Sequence, residues 1–321
     1  MELIKPGTNI DFVRIRYSAM MISGVMILAG LISLLVHGGP NYGIDFTGGT
    51  VAQVRFHSNP NIDEIRGALG SLGLESGSIQ DFSDTFNSSG ESAGKTEYLI
   101  RLPLAESEDV DVAGKIKDAL TAKFGADSFD VMRIETVGPR VGSALRQQAV
   151  MAVLAAMVMM GFYVWFRFEF RFGVGAAVAL LHDVLITIGF LSIFNYEIDL
   201  TIVAALLTIV GFSVNDTVII SDRIRENMRK SRRESLAMII NGSINETLSR
   251  TVITTGTAVL VVIALFVLGG NVIRGFAFSL LVGFLVGTYS SIFISSPIVL
   301  AFEGTRFGST ARSTSPARAR S

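Results

Sequence analysis

The sequence predicts a polytopic α-helical membrane protein with six transmembrane helices and one ferredoxin-like α+β domain outside the bilayer. Three observations carry this. Half of the 321 residues are apolar and 17% are charged, which is too apolar for an ordinary soluble domain. Several apolar runs reach the roughly 20 residues needed to cross about 30 Å of hydrocarbon. One stretch of about 110 residues between the first two runs reads instead as alternating strands and amphipathic helices.

Residues 1–17 form a short, mostly polar leader carrying Lys5, Arg14 and Arg16, expected to be cytoplasmic. The apolar run 18–36 is longer than the roughly 7–15 residues of a signal-peptide core, and HGGPNYGIDF follows it in place of a cleavage site. It reads as a retained first transmembrane helix. Residues 37–148 form the extramembrane domain. TVAQVRFH at 50–57 alternates as a half-buried strand does. Ile62, Ile65, Leu69 and Leu72 share one helical face, 77–85 reads as a strand, and 86–96 is a Ser/Gly-rich loop. EYLIRLPL at 97–104 alternates again. Val112, Ile116, Leu120 and Phe124 recur every fourth residue, and 129–137 closes with a strand. The order β-α-β-β-α-β is that of a ferredoxin-like plait, a fold that assigns no function by itself. Within YGIDFTGGT, Gly48-Gly49 suits a tight turn that Asp45 is placed to brace.

Residues 149–301 hold the remaining five spans, with apolar runs at 149–166, 173–194, 200–220, 251–268 and 276–300. A basic connector surrounds residues 223–233 and continues through an amphipathic stretch to Arg250. The tail, 302–321, is Ser/Thr/Arg-rich and expected to be a disordered cytoplasmic segment. Gly173, Gly175, Gly189, Gly211, Gly283 and Gly287 are expected to let helices approach closely. The leader, the RFEFR turn at 167–171, the 223–233 connector and the tail share one side of the membrane and most of the short-loop arginines. The other side's two short loops hold only Arg274. That asymmetry puts both termini in the cytoplasm and the large domain outside it, in the periplasm of a Gram-negative inner membrane.

The chemistry concentrates in GFSVNDTVIISDRIRE, residues 211–226. Asp216 falls inside a membrane span. A carboxylate in hydrocarbon costs at least a few kcal/mol and persists mainly where it faces a bundle interior or a water path. Burial favours the protonated form of a carboxylate and a nearby cation favours the ionised one. An acid and an arginine whose separation changes can therefore exchange a proton. Arg250 is the expected partner, because positions 216 and 250 are equally far from residue 233 in the connector. Thr251, Thr254, Thr255 and Thr257 continue a polar face past it. Asp216, Arg250 and the adjacent Asn215 are the candidate proton-coupling residues. His182 and Asp183 interrupt the third span and are expected either to pair for packing or to act as a secondary relay. With no cysteine, three histidines and no HExxH spacing, neither a metal nor a thiol site is expected. GxxxxGK[ST] is absent, so no nucleotide site or other cofactor and no enzymatic residue is expected. Work would come from an ion gradient or a partner.

YGIDFTGGT, LLHDVLITIGF, GFSVNDTVIISDRIREN and NETLSRTVITTGTAVLVVIALFVLGG, in that order, resemble the SecD/SecF family of protein-export membrane proteins on its SecF side, related to RND-type transporters. The resemblance covers residues 7–303. It implies one six-helix half of a pseudo-twofold assembly whose other half is SecD, embedded in membrane lipid. It implies use of the proton motive force to aid export of preproteins beside the SecYEG translocon, with no nucleic acid involved. The family's helix-four acid and helix-five arginine carry over to Asp216 and Arg250. Part of the proton path would come from SecD.

Other readings compete. An RND-type small-molecule or lipid exporter subunit would need larger substrate-binding domains than one plait of about 100 residues. An intramembrane hydrolase would use Asp183 and Asp216 as a dyad, and a scaffold would use neither.

Overall fold

The computed structural model describes residues 9–70, 78–81, 96–102, 112–231 and 233–307. The chain enters through α1 (Phe12–Val36), which starts six residues ahead of the apolar run. Two things draw the polar residues into the helix. Asp11 caps it by accepting from the Arg14 amide at 3.0 Å, and Asn241 Oδ1 accepts from the Phe12 amide at 2.8 Å. The inward residues Phe12, Ala19, Ser23 and Gly30 recur at intervals of seven and four, the spacing of one helix seam.

A short α2 (Ile44–Thr47) leads to Gly48 and Gly49 at φ +75° and +140°, a region that glycine enters without Cβ strain. A Cβ on Gly48 would also stand 2.9 Å from the Pro139 Cα. Asp45 does not brace this turn, contrary to expectation. Its Oδ2 accepts from the Leu200 amide at 2.9 Å, tying the domain linker to the start of a membrane helix.

The extramembrane domain follows as β1 (Gly49–Phe56), α3 (Ile62–Gly70), β2 (Ser78–Asp81), β3 (Thr96–Leu102), α4 (Val112–Phe124) and β4 (Phe129–Val137). The sheet order is β2-β3-β1-β4 with every neighbour antiparallel, as the β-α-β-β-α-β order requires. Alternation decides its faces. Ala52, Val54, Phe56, Tyr98, Ile100 and Leu102 are buried beneath Ile65, Leu69, Ile116 and Leu120 of the two helices. Val51, Gln53, Leu99 and Arg101 point the other way, into a cleft of about 770 Å³ whose far wall includes Tyr196, Glu197, Asp199 and Leu200 at the ends of membrane helices.

The bundle comprises α5 (Pro139–Arg167), α6 (Phe170–Ile193), α7 (Leu200–Lys230), α8 (Leu236–Leu268) and α9 (Gly270–Ser290). A π-helical turn, Ser291–Ser295, then carries α9 into α10 (Ser296–Phe307). Together with α1, six segments among the described residues are long and apolar enough to cross a membrane, the last being Val272–Phe302. The third, fourth and sixth are the most buried and form the centre. Gly30 of α1 and Gly189 of α6 meet backbone to backbone: a Cβ on Gly189 would stand 2.9 Å from the Gly30 Cα. One on Gly287 would stand 3.0 Å from the Ser213 Cβ, so α9 lies close against α7. Gly211 departs from expectation, since open space surrounds it.

The fifth span also differs from its expected start at 251. Capped by Ser235, α8 starts fifteen residues earlier at Leu236, and Leu236, Ile239, Ile240 and Ile244 bury one face, so the amphipathic stretch and the apolar run form one continuous helix. The last helix continues through Phe307. The rest of the tail, 308–321, and the loop residues 86–95 lie outside the described residues.

Candidate functional site

Asp216 is 1% exposed, on the face of α7 that meets α8 and α9. Its Oδ2 accepts from Thr255 Oγ1 of α8 at 3.4 Å and from Thr288 Oγ1 of α9 at 3.2 Å. The two hydroxyls are themselves joined at 2.6 Å. Because each hydroxyl has one hydrogen, one of them is committed to the other, and the carboxylate is left with a single full donor. Among the described residues its Oδ1 is buried without a hydrogen-bond partner, as is Thr251 Oγ1 on α8.

Arg250 is at matched depth: it lies about 14 residues into α8, and Asp216 about 14 residues before the end of α7, so each is roughly 21 Å from the connector. No hydrogen bond or ion pair joins them. The rotation of α8 explains this. Thr247, Thr251 and Thr255 recur every fourth residue and form its buried edge. Arg250 lies about 100° off that edge, exposed on the bundle surface. Asn215 is exposed as well and stands apart from the Asp216 cluster.

His182 and Asp183 do come together. His182 Nδ1 lies 2.9 Å from Asp183 Oδ1, and Asp183 Oδ2 accepts from Ser213 Oγ at 2.6 Å and Ser290 Oγ at 2.8 Å. Asp183 is 0% exposed, yet three donors from three helices surround it. It makes no contact with Asp216, so the two carboxylates do not form a dyad. They share scaffolding instead. Ser213 lies one turn from Asp216 on α7, and Thr288 and Ser290 follow each other on α9.

The hydroxyls of Ser213, Thr288 and Ser290 were not singled out from sequence. The string GTYSS at 287–291, polar inside an apolar span, was the available signal.

A second charged region lies outside the membrane, in the cleft under the sheet. Arg101 of β3 pairs with Glu197 of the α6–α7 connection. The Gly43 amide donates to Ile198 O at 2.8 Å, and the Ile198 amide to Asn41 O at 2.7 Å. Burial pushes the Glu197 carboxyl above its usual range, with Arg101 opposing and Asp199 adding to the rise. Asp199 is raised by burial too, against its cap to the Ile202 amide and with Asp45 adding to the rise.

Two family descriptions match this chain: "Protein export membrane protein SecD/SecF, C-terminal" over residues 116–305, and "SecD/SecF GG Motif" over residues 33–59. The first contains every membrane residue discussed above outside α1, and the second contains Gly48-Gly49. The chain is 44% identical over 297 residues to the protein translocase subunit SecF of Desulfurispirillum indicum, covering 91% of each. It is 42% identical over 305 residues to that of Escherichia coli O157:H7, covering 94% of this chain and 90% of the relative. Among solved structures it is similar to SecDF, a translocon-associated membrane protein from Thermus thermophilus, with TM-score 0.79 and 36% identity over 93% of this chain. It is also similar to SecDF in a super-membrane-facing form, with TM-score 0.67 and 37% identity over 97%. It spans 39% and 41% of those two chains. By these matches the chain belongs to the SecD/SecF family of protein-export membrane proteins.

Proposed function

We propose that this chain is a SecF-type subunit that, with a SecD-type partner, uses the proton motive force to promote preprotein export beside the SecYEG channel. Asp216 is the proton-exchanging group. The observation that carries this is its bare Oδ1: a carboxyl oxygen buried in the bundle with no partner, beside an arginine at the same depth that does not touch it. Such an atom is open to a proton in one state and to Arg250 in another, so helix movement and protonation become linked. An ionisable residue inside a membrane span is a functional-site hypothesis by default.

The partner reading draws on the exposed stripe Thr201, Ala204, Thr208, Gly211 and Asn215 along α7. Small and polar residues in a membrane span suit another helix better than lipid, and the solved SecDF chains are more than twice as long as this one. On this reading the termini are cytoplasmic in the inner membrane, the plait is periplasmic, and no nucleotide or metal is used.

The test is proton-dependent export from inverted vesicles at matched expression. Asp216→Asn and Arg250→Met should each abolish the gradient-dependent part, and the double variant should be little worse than either, because the two act as one unit. Wild-type export by Asp216→Asn would reject the reading. Independent, multiplicative losses would reject the coupling to Arg250.

A further inference from the structure

The hydrogen bonds leading away from Asp183 run in a direction that can be deduced. They pass from His182 to α1 and end on a backbone carbonyl. Tyr289 OH donates to Ala19 O at 2.6 Å, and a carbonyl oxygen can only accept. The one hydrogen of Tyr289 is thereby spent, so Tyr289 accepts at its 3.0 Å contact with Ser23 Oγ, and Ser23 donates. That commits the one hydrogen of Ser23. The 3.0 Å contact between Ser23 Oγ and His182 Nε2 then needs its hydrogen on the nitrogen.

At the other end of the ring, His182 Nδ1 and Asp183 Oδ1 are 2.9 Å apart and also need one hydrogen between them. Asp183 Oδ2 already receives hydroxyls from Ser213 and Ser290. With Nε2–H fixed, the pair holds one proton more than a neutral histidine beside a carboxylate. It sits at the Nδ1–Oδ1 contact, whether drawn as imidazolium and carboxylate or as imidazole and carboxylic acid. The net charge of the pair is zero, which suits a site where His182 is 5% and Asp183 0% exposed. The Tyr289 ring stacks on the imidazole, centroids 6.1 Å apart.

We infer that His182–Asp183 is a second proton-binding site, separate from Asp216, whose occupancy sets the direction of the Ser23–Tyr289 hydroxyl relay and hence the hold of Tyr289 on the α1 carbonyl of Ala19. Losing the proton leaves Nε2 bare. Ser23 then turns its hydrogen to Nε2, Tyr289 turns its own to Ser23, and Ala19 O is released. Proton loss here is thus converted into a looser grip between α9 and α1. The titratable and charged neighbours are few. Tyr289 is the one from α9, and Asp216 is one turn beyond Ser213 on α7. Arg250 of α8 lies on the bundle surface, and α1 carries no charged side chain between Arg16 and His37. The inference rests on the proton-coupled reading only for its role in export. The site itself stands on hydrogen count.

The protein has three histidines, so His37→Gln and His57→Gln leave His182 as the sole imidazole. The test is solid-state nitrogen NMR of ¹⁵N-histidine-labelled full chain in lipid bilayers, from about pH 5 to about pH 9. Nε2 should carry a proton at neutral pH. Tyr289→Phe removes the acceptor for Ser23 and frees that hydroxyl for Nε2. It should lower the ratio of protonated to bare Nε2 by about tenfold, the worth of one good hydrogen bond. Asp216→Asn should leave the Nε2 signal unchanged, which separates this site from the export reading whatever that variant does to export. A bare Nε2 at neutral pH in the wild-type chain would overturn the inference. So would a Tyr289→Phe chain with an unaltered ratio at every pH.

Discussion

Two carboxylates, Asp183 and Asp216, are buried among the membrane helices of the described residues, and their surroundings differ. Asp183 has both oxygens engaged, by an imidazole and two hydroxyls from α7 and α9. Asp216 shares a single full donor between two threonines and leaves Oδ1 bare. Completeness within the chain is what separates them. A satisfied buried polar network fixes one arrangement of the helices around it, whereas an unsatisfied group is costly and persists where something else engages it. Asp183 ties α6, α7 and α9 together, and His182 extends the tie to Ser23 of α1. Among the described residues Asp216 is held only by the Thr255 and Thr288 hydroxyls.

If that distinction holds, alanine should separate the two sites most widely. Asp183→Ala strands the His182 ring and the Ser213 and Ser290 hydroxyls in the interior, and should cost about 3–5 kcal/mol of stability. Asp216→Ala removes one weakly bonded oxygen and one bare one, and should fall within about 1 kcal/mol of the parent. Unfolding of the full chain in mild detergent measures both, and equal losses would erase the contrast.

Removing single hydroxyls sharpens it. Ser290→Ala takes one of two donors from Asp183 Oδ2 and should cost about 1–2 kcal/mol. Thr288→Val keeps the shape, removes one of the two hydroxyls that share a single donor to Asp216, and should cost about 1 kcal/mol or less. On the proposed function the order reverses for gradient-dependent export, with Thr288→Val the more damaging of the two. Export and stability changing in the same order would argue that both acids are structural.

The smallest effect concerns the charged junction outside the membrane. Glu197 and Asp199 have carboxyls raised by burial, so the folded junction binds protons more tightly than the unfolded chain does. Its stability therefore increases as pH falls from the raised values toward the ordinary carboxylate range, and declines as pH rises through that window. Amide exchange at Ile198 and Leu200, corrected for its intrinsic pH dependence, should be a few-fold slower at the acidic end. Glu197→Gln should flatten part of this dependence and leave the remainder to Asp199. An unchanged profile would assign the effect elsewhere.

Much of the fold was legible because its signals are local. The strands at 50–57 and 97–104 announce themselves by alternation, the helix at 112–124 by its four-residue repeat, and the membrane spans by length. The plait follows from element order, since antiparallel neighbours in the order β2-β3-β1-β4 are what two interleaved β-α-β units produce. The start of α8 was misplaced because an amphipathic helix and an apolar one differ in composition, not in backbone, and a cap at Ser235 outweighs the change in polarity.

Sequence alone also determined which residues are out of place in hydrocarbon: Asp216, Asn215, His182 and Asp183 stand out against any apolar span, wherever they point. Where they point was decided only by tertiary structure. A helix residue changes face by about 100° per position, so Arg250 and Thr251, neighbours in sequence, end on the surface and in the core. Those rotations are set by contacts distant in the chain, such as Gly30 on Gly189 and Gly287 against Ser213. The same contacts bring Ser23 within 3.0 Å of His182, 159 residues away. Polarity is a property of each residue, but a hydrogen-bond partner is a property of how helices pack, and no local pattern encodes it.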